Sequence, residues 1–277
     1  MKIKNMLSQA LLVSVLSLNA AAQSVSTSTT SSSDLFSKIA EKTSLLLFLG
    51  LDHQGTTDTY TGYGQTNIAF LTYNVTDNDS LRLETRVSIN NPNGQEADTS
   101  FSRTVLRYRR SNILTQDKHG INLSASFEKR YLPDAAMRTA SNTYGLNRLS
   151  VSASRTISDK LSVGATAYVA LSDLKDKSNV ETSRNYYYLV VTETLALPYD
   201  VSLTFVEELF KNNNKQDSGE YNSFDLTAEF SKSLTEKVGS AFYVAGTPIS
   251  STTDSWKLND NWTKNLRYGV SFTYSAF

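Results

Sequence analysis

Nucleophilic catalysis needs a base beside the nucleophile and a third group to orient that base. This chain offers two histidines, His53 and His119, and no cysteine. His119 stands in the turn-like stretch DKHG. His53 follows Asp52 and is the one candidate base for a lipid hydrolase, but no nucleophile motif adjoins it and an interfacial histidine is the simpler reading. Asp77-Asn78-Asp79 has the order of a calcium loop without its glycine or distal glutamate, so it reads as a turn. Glu207 and Glu208 alternate across a strand and cannot flank one bond as a glycosidase pair must. HExxH, a cysteine pair and a phosphate-binding glycine loop are all missing. The expectation is no metal, no cofactor and no enzymatic activity.

What remains is charge. Arg82, Arg86, Arg103, Arg107, Arg109, Arg130 and Arg148 crowd the stretch 82–148; Glu193, Glu208, Asp225 and Glu229 follow at 193–229. Their chemistry is electrostatic and depends on where each side chain points, hence on the elements that carry them.

From Thr43 onward the hydrophobic pattern has a period of two. SLRLETRVSIN (80–90), INLSASFEKR (121–130), LSVGATAYVAL (161–171), VSLTFVEELF (201–210), SFDLTAEFSK (223–232) and the terminal RYGVSFTYSAF (267–277) are the clearest alternating runs. Weaker runs at 43–53, 66–75, 101–113, 146–157, 185–197 and 238–246 bring the expected strands to twelve. Brief connections rich in Asp, Asn, Ser, Thr and Gly lie at 75–81, 115–121, 156–161, 197–201 and 234–238. Longer ones at 54–65, 91–100, 132–145, 172–184, 211–222 and 247–264 alternate strictly with them. This is the pattern of an antiparallel up-and-down meander whose two rims differ. Thr76-Asp77, Ser158-Asp159 and Thr235-Glu236 repeat a hydroxyl–acid pair in three of the short turns, which reads as recurring hairpin chemistry.

The two faces of these strands differ in kind. One carries Leu81, Leu83, Val87, Ile89, Leu123, Phe127, Leu161, Val163, Phe205 and Phe230. The other carries Arg82, Glu84, Arg86, Ser124, Ser126, Glu128, Ser150, Ser152, Asp225 and Glu229. Polar groups in mid-strand must be wetted or paired. Each exposed leucine or phenylalanine gains on the order of 1.5–3 kcal/mol by leaving water. A closed barrel with its apolar face toward lipid and its polar face toward a lumen satisfies both demands and leaves no edge. Strands of about ten residues, tilted, match the hydrocarbon height. Tyr73, Tyr108, Tyr131, Tyr186, Tyr268 and Tyr274 stand near strand ends, as interfacial girdles require.

At this point the chain, over 43–277, resembles the bacterial outer-membrane β-barrels of the porin-like kind. RYGVSFTY (267–274) is similar to that family's assembly signal: a polar residue, any residue, glycine, then alternating hydrophobics ending in an aromatic. The resemblance implies that Gly269, Val270, Phe272, Tyr274 and Phe277 are read by the barrel-assembly machinery through strand addition. Phe277 departs from the pattern, being out of phase with Phe272 and Tyr274. The resemblance also implies a periplasmic location for both termini and the short turns, long loops outside, and periplasmic chaperones, lipid and lipopolysaccharide as partners.

The N-terminus agrees with export. Lys2 and Lys4, an apolar Leu11–Leu18 and Ala20-Ala21-Ala22 form a cleaved signal peptide over 1–22. Residues 23–42 read as a periplasmic Ser/Thr linker and a short N-terminal helix at 35–42, lying either on the surface or in the barrel mouth. Losing 1–22 leaves 25 basic against 27 acidic residues, too even a balance for a nucleic-acid partner. The longest later apolar run, Leu45–Leu51, is too short for a transmembrane helix.

By parity, the seven arginines form a basic lumen wall, opposed locally by Glu84 and Glu128, and Glu193, Glu208, Asp225 and Glu229 form an acidic one. Asp52 and Arg267 lie near the seam. Such walls either set up a transverse field or pair as ion bridges that fill a narrow barrel, and both can hold. The expected function is passive diffusion of small polar solutes through a monomeric, charged pore. The alternative is a surface or adhesive barrel acting through its long loops, with Trp256 and Trp262 as anchors; the lipid hydrolase comes last.

Overall fold

In a computed structural model the described residues are 40–56, 59–92, 98–133, 135–176, 184–214, 221–251, 257–260 and 262–276. The signal peptide, the linker and all but the last turn of the expected helix at 35–42 fall outside them, as do Trp256 and Phe277.

Twelve antiparallel strands close on themselves: β1 (Thr43–Thr56), β2 (Thr59–Asn74), β3 (Asp79–Pro92), β4 (Asp98–Leu114), β5 (Asn122–Tyr131), β6 (Thr143–Ser158), β7 (Leu161–Leu174), β8 (Arg184–Leu197), β9 (Val201–Asn214), β10 (Tyr221–Ser233), β11 (Val238–Ser251) and β13 (Arg267–Ser275). A two-residue strand, β12 (Lys257–Leu258), is annexed to β11. Each strand pairs with its neighbours in sequence, and β1 pairs with β13 to shut the sheet. Closure leaves no row of unpaired backbone groups.

Several expected connections are shorter than read from the sequence, among them 91–100, where β3 reaches Pro92 and β4 starts at Asp98. The segment 54–65 is mostly strand, because the β1–β2 ladder runs on to Thr56 opposite Thr59. The segment 211–222 likewise shrinks, with β9 reaching Asn214 and β10 starting at Tyr221. Thr, Tyr and Asn in these stretches suit a pleated strand once a partner ladder is present, and composition alone does not reveal the partner. The connection 115–121 holds one helical turn, α1 (Gln116–His119), instead of a tight hairpin. There the Thr115 amide lies 3.3 Å from His119 Nδ1, which places that imidazole in the turn's own hydrogen bonding.

The three repeated hydroxyl–acid turns share one device. The hydroxyls of Thr76, Ser158 and Thr235 accept from backbone amides two or three residues on, at 3.0–3.3 Å. Asp79 is held by Tyr108 Oη (2.6 Å), Thr76 Oγ1 (2.7 Å) and the Arg110 guanidinium (3.1 Å), so its carboxylate closes a turn.

The barrel is built inside out. Leu106, Leu149 and Phe127 keep 52%, 54% and 48% of their surface exposed on the outer face. Among the described residues the buried hydrophobics are Ile68, Val105, Ala170 and Ala245, all of which point inward. The largest fully buried side chains are Glu128 and Val105. An outer surface of this kind belongs in hydrocarbon, where its leucines and phenylalanines lose nothing.

On the closing strand Val270, Phe272 and Tyr274 face outward opposite Leu51, Leu49 and Leu47. Gly269 faces inward and is buried; a Cβ there would come within 2.7 Å of the Tyr243 ring and 2.6 Å of the Leu51 carbonyl oxygen. The glycine thus lets Tyr243 lie across the backbone at the seam. Gly145 is required for a different reason: at φ +155 its Cβ would fall 1.8 Å from the Arg130 carbonyl oxygen. In the β11–β13 connection Trp262 packs against β11, where a Cβ on Gly246 would lie 2.9 Å from its ring.

Candidate functional site

The interior face of β3–β6 gathers all seven expected arginines. Arg82, Arg107, Glu128 and Arg148 are successive partners across four strands, so one register row carries a near-continuous band of charge. Arg86 and Arg103 are likewise directly opposed. Like charges so placed repel, and two carboxylates offset this. Glu128 has no solvent exposure and is contacted by Arg107 and Arg148 at one oxygen and by Arg130, at 3.1 Å, at the other. Glu84, 6% exposed, lies 3.6 Å from both Arg86 and Arg103. Arg82 donates to Thr72 Oγ1 at 3.0 Å and rests 5.4 Å from the Phe70 ring centroid. Arg109 reaches Ser124 Oγ at 3.4 Å. Seven guanidiniums against two carboxylates leave this arc strongly positive. The Nε atoms of Arg86, Arg103, Arg107 and Arg148 have no hydrogen-bond partner among the described residues.

The acidic arc is smaller than expected. Glu208 and Asp225 point inward as direct partners on β9 and β10, and Glu229 points inward opposite Tyr243. Asp225 accepts from Thr247 Oγ1 and, at 3.1 Å, from Ser223 Oγ. No lysine or arginine reaches these three carboxylates within bridging distance among the described residues. Glu193 does not belong here. It pairs with Val163 and Phe205, both on the outer face, so it points away from the lumen. The even positions of β8, including Tyr188, Val190 and Thr192, face in. Its alternation begins one residue away from where charge suggests, because Glu193 replaces an apolar residue on the outer face. Asp52 points inward opposite Gly269, and Arg267 opposite Ala245.

Between the arcs lies a feature that charge-based reading does not find. Tyr168, Tyr188 and Phe210 occupy one register row on β7–β9, with ring centroids 4.3 Å and 4.5 Å apart, and Tyr186 stacks on Phe210 at 5.6 Å. Arg148 caps the row, 4.5 Å from the Tyr168 centroid. Tyr186 therefore faces the lumen and is not part of the outer girdle. Elsewhere the inward positions of β7 are Ser162, Gly164, Thr166, Ala170 and Ser172. The rings thus form a shelf at one depth of the interior wall, flanked on β7 by small residues. The sequence signal was present: in LSVGATAYVAL, tyrosine alone breaks the small-residue face.

At the long-loop end a cavity of about 430 Å³ opens under the β5–β6 connection, lined by Arg103, Arg130, Leu132, Thr143, Leu146 and Tyr186. Above it, helix α2 (Ala135–Ala140) is fixed by Arg138, which donates to the Leu132 and Pro133 carbonyls at 2.8 Å and 2.6 Å. Asn142 ties this connection to the next one by accepting from the Asp176 amide at 3.0 Å. The arrangement can orient and sort charged solutes by electrostatics and width. Among the described residues, it assembles no cluster of His, Cys, Asp and Glu fit for a metal.

No family model matches the sequence, and no curated protein matches it. Solved structures match the fold. An outer membrane channel from Pseudomonas putida F1 superposes with a TM-score of 0.56 at 12% identity, over 84% of this chain and 95% of that one. The NanC porin gives 0.51 at 9% identity, covering 83% of this chain and 98% of its own. The KdgM porin gives 0.50 at 12% identity, covering 83% and 99%. At such identities the likeness is one of architecture: the chain has the fold of a porin-like outer-membrane β-barrel.

Proposed function

We propose that this barrel is an outer-membrane channel through which small polar and zwitterionic solutes diffuse passively, with a preference for anions. The observation that carries the reading is the inward band of seven arginines shared by only two glutamates, on the interior of a closed sheet whose outside is apolar. Across from it, Glu208, Asp225 and Glu229 supply the opposite sign, so a dipolar solute is turned as it passes.

In this reading the leader at 1–22 directs export, and the short-turn rim and both termini lie in the periplasm. The long connections meet lipopolysaccharide. Periplasmic chaperones and the assembly machinery handle the unfolded chain, the latter recognising β13 by adding a strand to it. β1 and β13 close the sheet within one chain, which supports a monomer as the working unit. The barrel performs no catalysis and needs no cofactor.

Planar-bilayer recording tests this. Wild-type protein should give discrete channel events with an anion-shifted reversal potential in a salt gradient. The Arg107→Glu/Arg109→Glu variant should move that potential toward cations. Absence of channel events from folded wild type would defeat the proposal.

A further inference from the structure

We propose that a recess in the lumen wall binds a small tetrahedral oxyanion of the phosphate or sulfate kind. The recess measures about 230 Å³ and is bounded by Arg107, Arg109, Arg148, Ser150, Ser152 and Tyr168. It arises from a contrast in side-chain size. Ser124, Ser152 and Thr166 are cross-strand partners in one row, and Ser126, Ser150 and Tyr168 in the next. These short hydroxyl residues form a low floor, while the arginines of β4 and β6 and the Tyr168 ring stand up around it.

The donors there are incompletely used. Ser150 is 5% exposed, and its hydroxyl has no hydrogen-bond partner among the described residues; the same holds for Nε of Arg107 and of Arg148. Neighbouring hydroxyls are engaged: Thr166 donates to Ser152 at 2.8 Å, and Ser124 accepts from Arg109. A buried donor left unpaired is unfavourable, and Arg107, Arg148 and Ser150, which carry these three, all line the one recess, which points to a common acceptor there. Charge agrees, since Arg107 and Arg148 share Glu128 with Arg130, and Arg109 adds a further positive charge.

The donor directions select the ligand. Guanidiniums approach from the sides and hydroxyls from the floor. A planar carboxylate presents two oxygens in one plane, whereas a tetrahedral anion presents four in three dimensions and meets side and floor donors together with less distortion. The inference deepens the channel reading and rests on it only for ion access to the lumen.

The test is equilibrium binding to the full-length, folded barrel in detergent, by titration calorimetry with inorganic phosphate, sulfate and acetate, each at one ionic strength. One phosphate or sulfate per chain should bind, at least tenfold tighter than acetate. Ser150→Leu, which fills the recess, should abolish binding; should that variant not fold, Ser150→Ala should weaken it three- to tenfold. No binding to folded wild type, acetate binding as tight as phosphate, or unchanged affinity in the folded Ser150 variant would each overturn the proposal. Glycerol phosphate distinguishes the sources within it: tighter binding than inorganic phosphate assigns the site to a phosphoester solute, weaker binding to the free ion. Phosphate binding by a barrel that passes no current would remove the channel reading and leave this one standing.

Discussion

On β4–β6 one carboxylate, Glu128, is wholly buried and divided among Arg107, Arg130 and Arg148. On β9 and β10, Glu208 and Asp225 face each other, Asp225 accepts from the hydroxyls of Ser223 and Thr247, and no cation bridges the two carboxylates among the described residues. Both arcs line the same lumen, yet charge does different work in each. In the basic arc, ion pairs fill the barrel wall, and taking away one member strands the others in a poorly solvated site. In the acidic arc, Asp225 is held by neutral hydroxyls and no cation bridges Glu208, Asp225 or Glu229 among the described residues, so each charge can be changed without breaking a bridge. The first arc joins stability to selectivity; the second separates them.

The comparison is most sharply broken at Glu128. Glu128→Gln should destabilise the detergent-refolded barrel by about 3–5 kcal/mol in urea unfolding, as expected when one partner of a buried ionic cluster is lost. An unchanged midpoint would show that water, not the protein, balances the basic arc.

A smaller effect is expected outside the lumen. Glu193 faces outward between Val163 and Phe205, where lipid disfavours charge. Glu193→Leu should raise stability by about 1 kcal/mol and leave the reversal potential unchanged. A clear shift in selectivity would return this residue to the acidic arc.

The smallest stability change belongs to the acidic arc itself. Glu208→Gln/Asp225→Asn should alter unfolding by no more than about 0.5 kcal/mol, a surface-like value, while moving the reversal potential further toward anions. A large loss of stability would show that the two arcs are built alike.

Most of the barrel was legible before any coordinates. Strand boundaries at the short turns follow from Thr76, Ser158 and Thr235, whose hydroxyls act within three residues of chain and need no partner strand. The ends toward the long loops were less legible. Residues 54–65 contain Gly and Thr in amounts that suit a loop, and only the facing ladder makes them strand. Glu193 and Tyr186 lie on the faces opposite to those expected because the phase of the β8 alternation is fixed by its register with β7 and β9, and an offset of one residue exchanges inside for outside. The aromatic shelf as a whole is not legible in the sequence because Tyr168, Tyr188 and Phe210 lie twenty or more residues apart and become one object only when their rows align.

The amino-acid order by itself determined the period of two, the alternation of short and long connections, the apolar outer face and the sign of each charged stretch. These are local properties, set by a residue and its near neighbours. Tertiary structure alone decided which residues share a row: Glu128 among three arginines, Ser150 within a hydroxyl floor, Tyr243 across Gly269. Register and closure made those choices, because lateral hydrogen bonding joins residues remote in sequence and a slip of one position exchanges inside for outside.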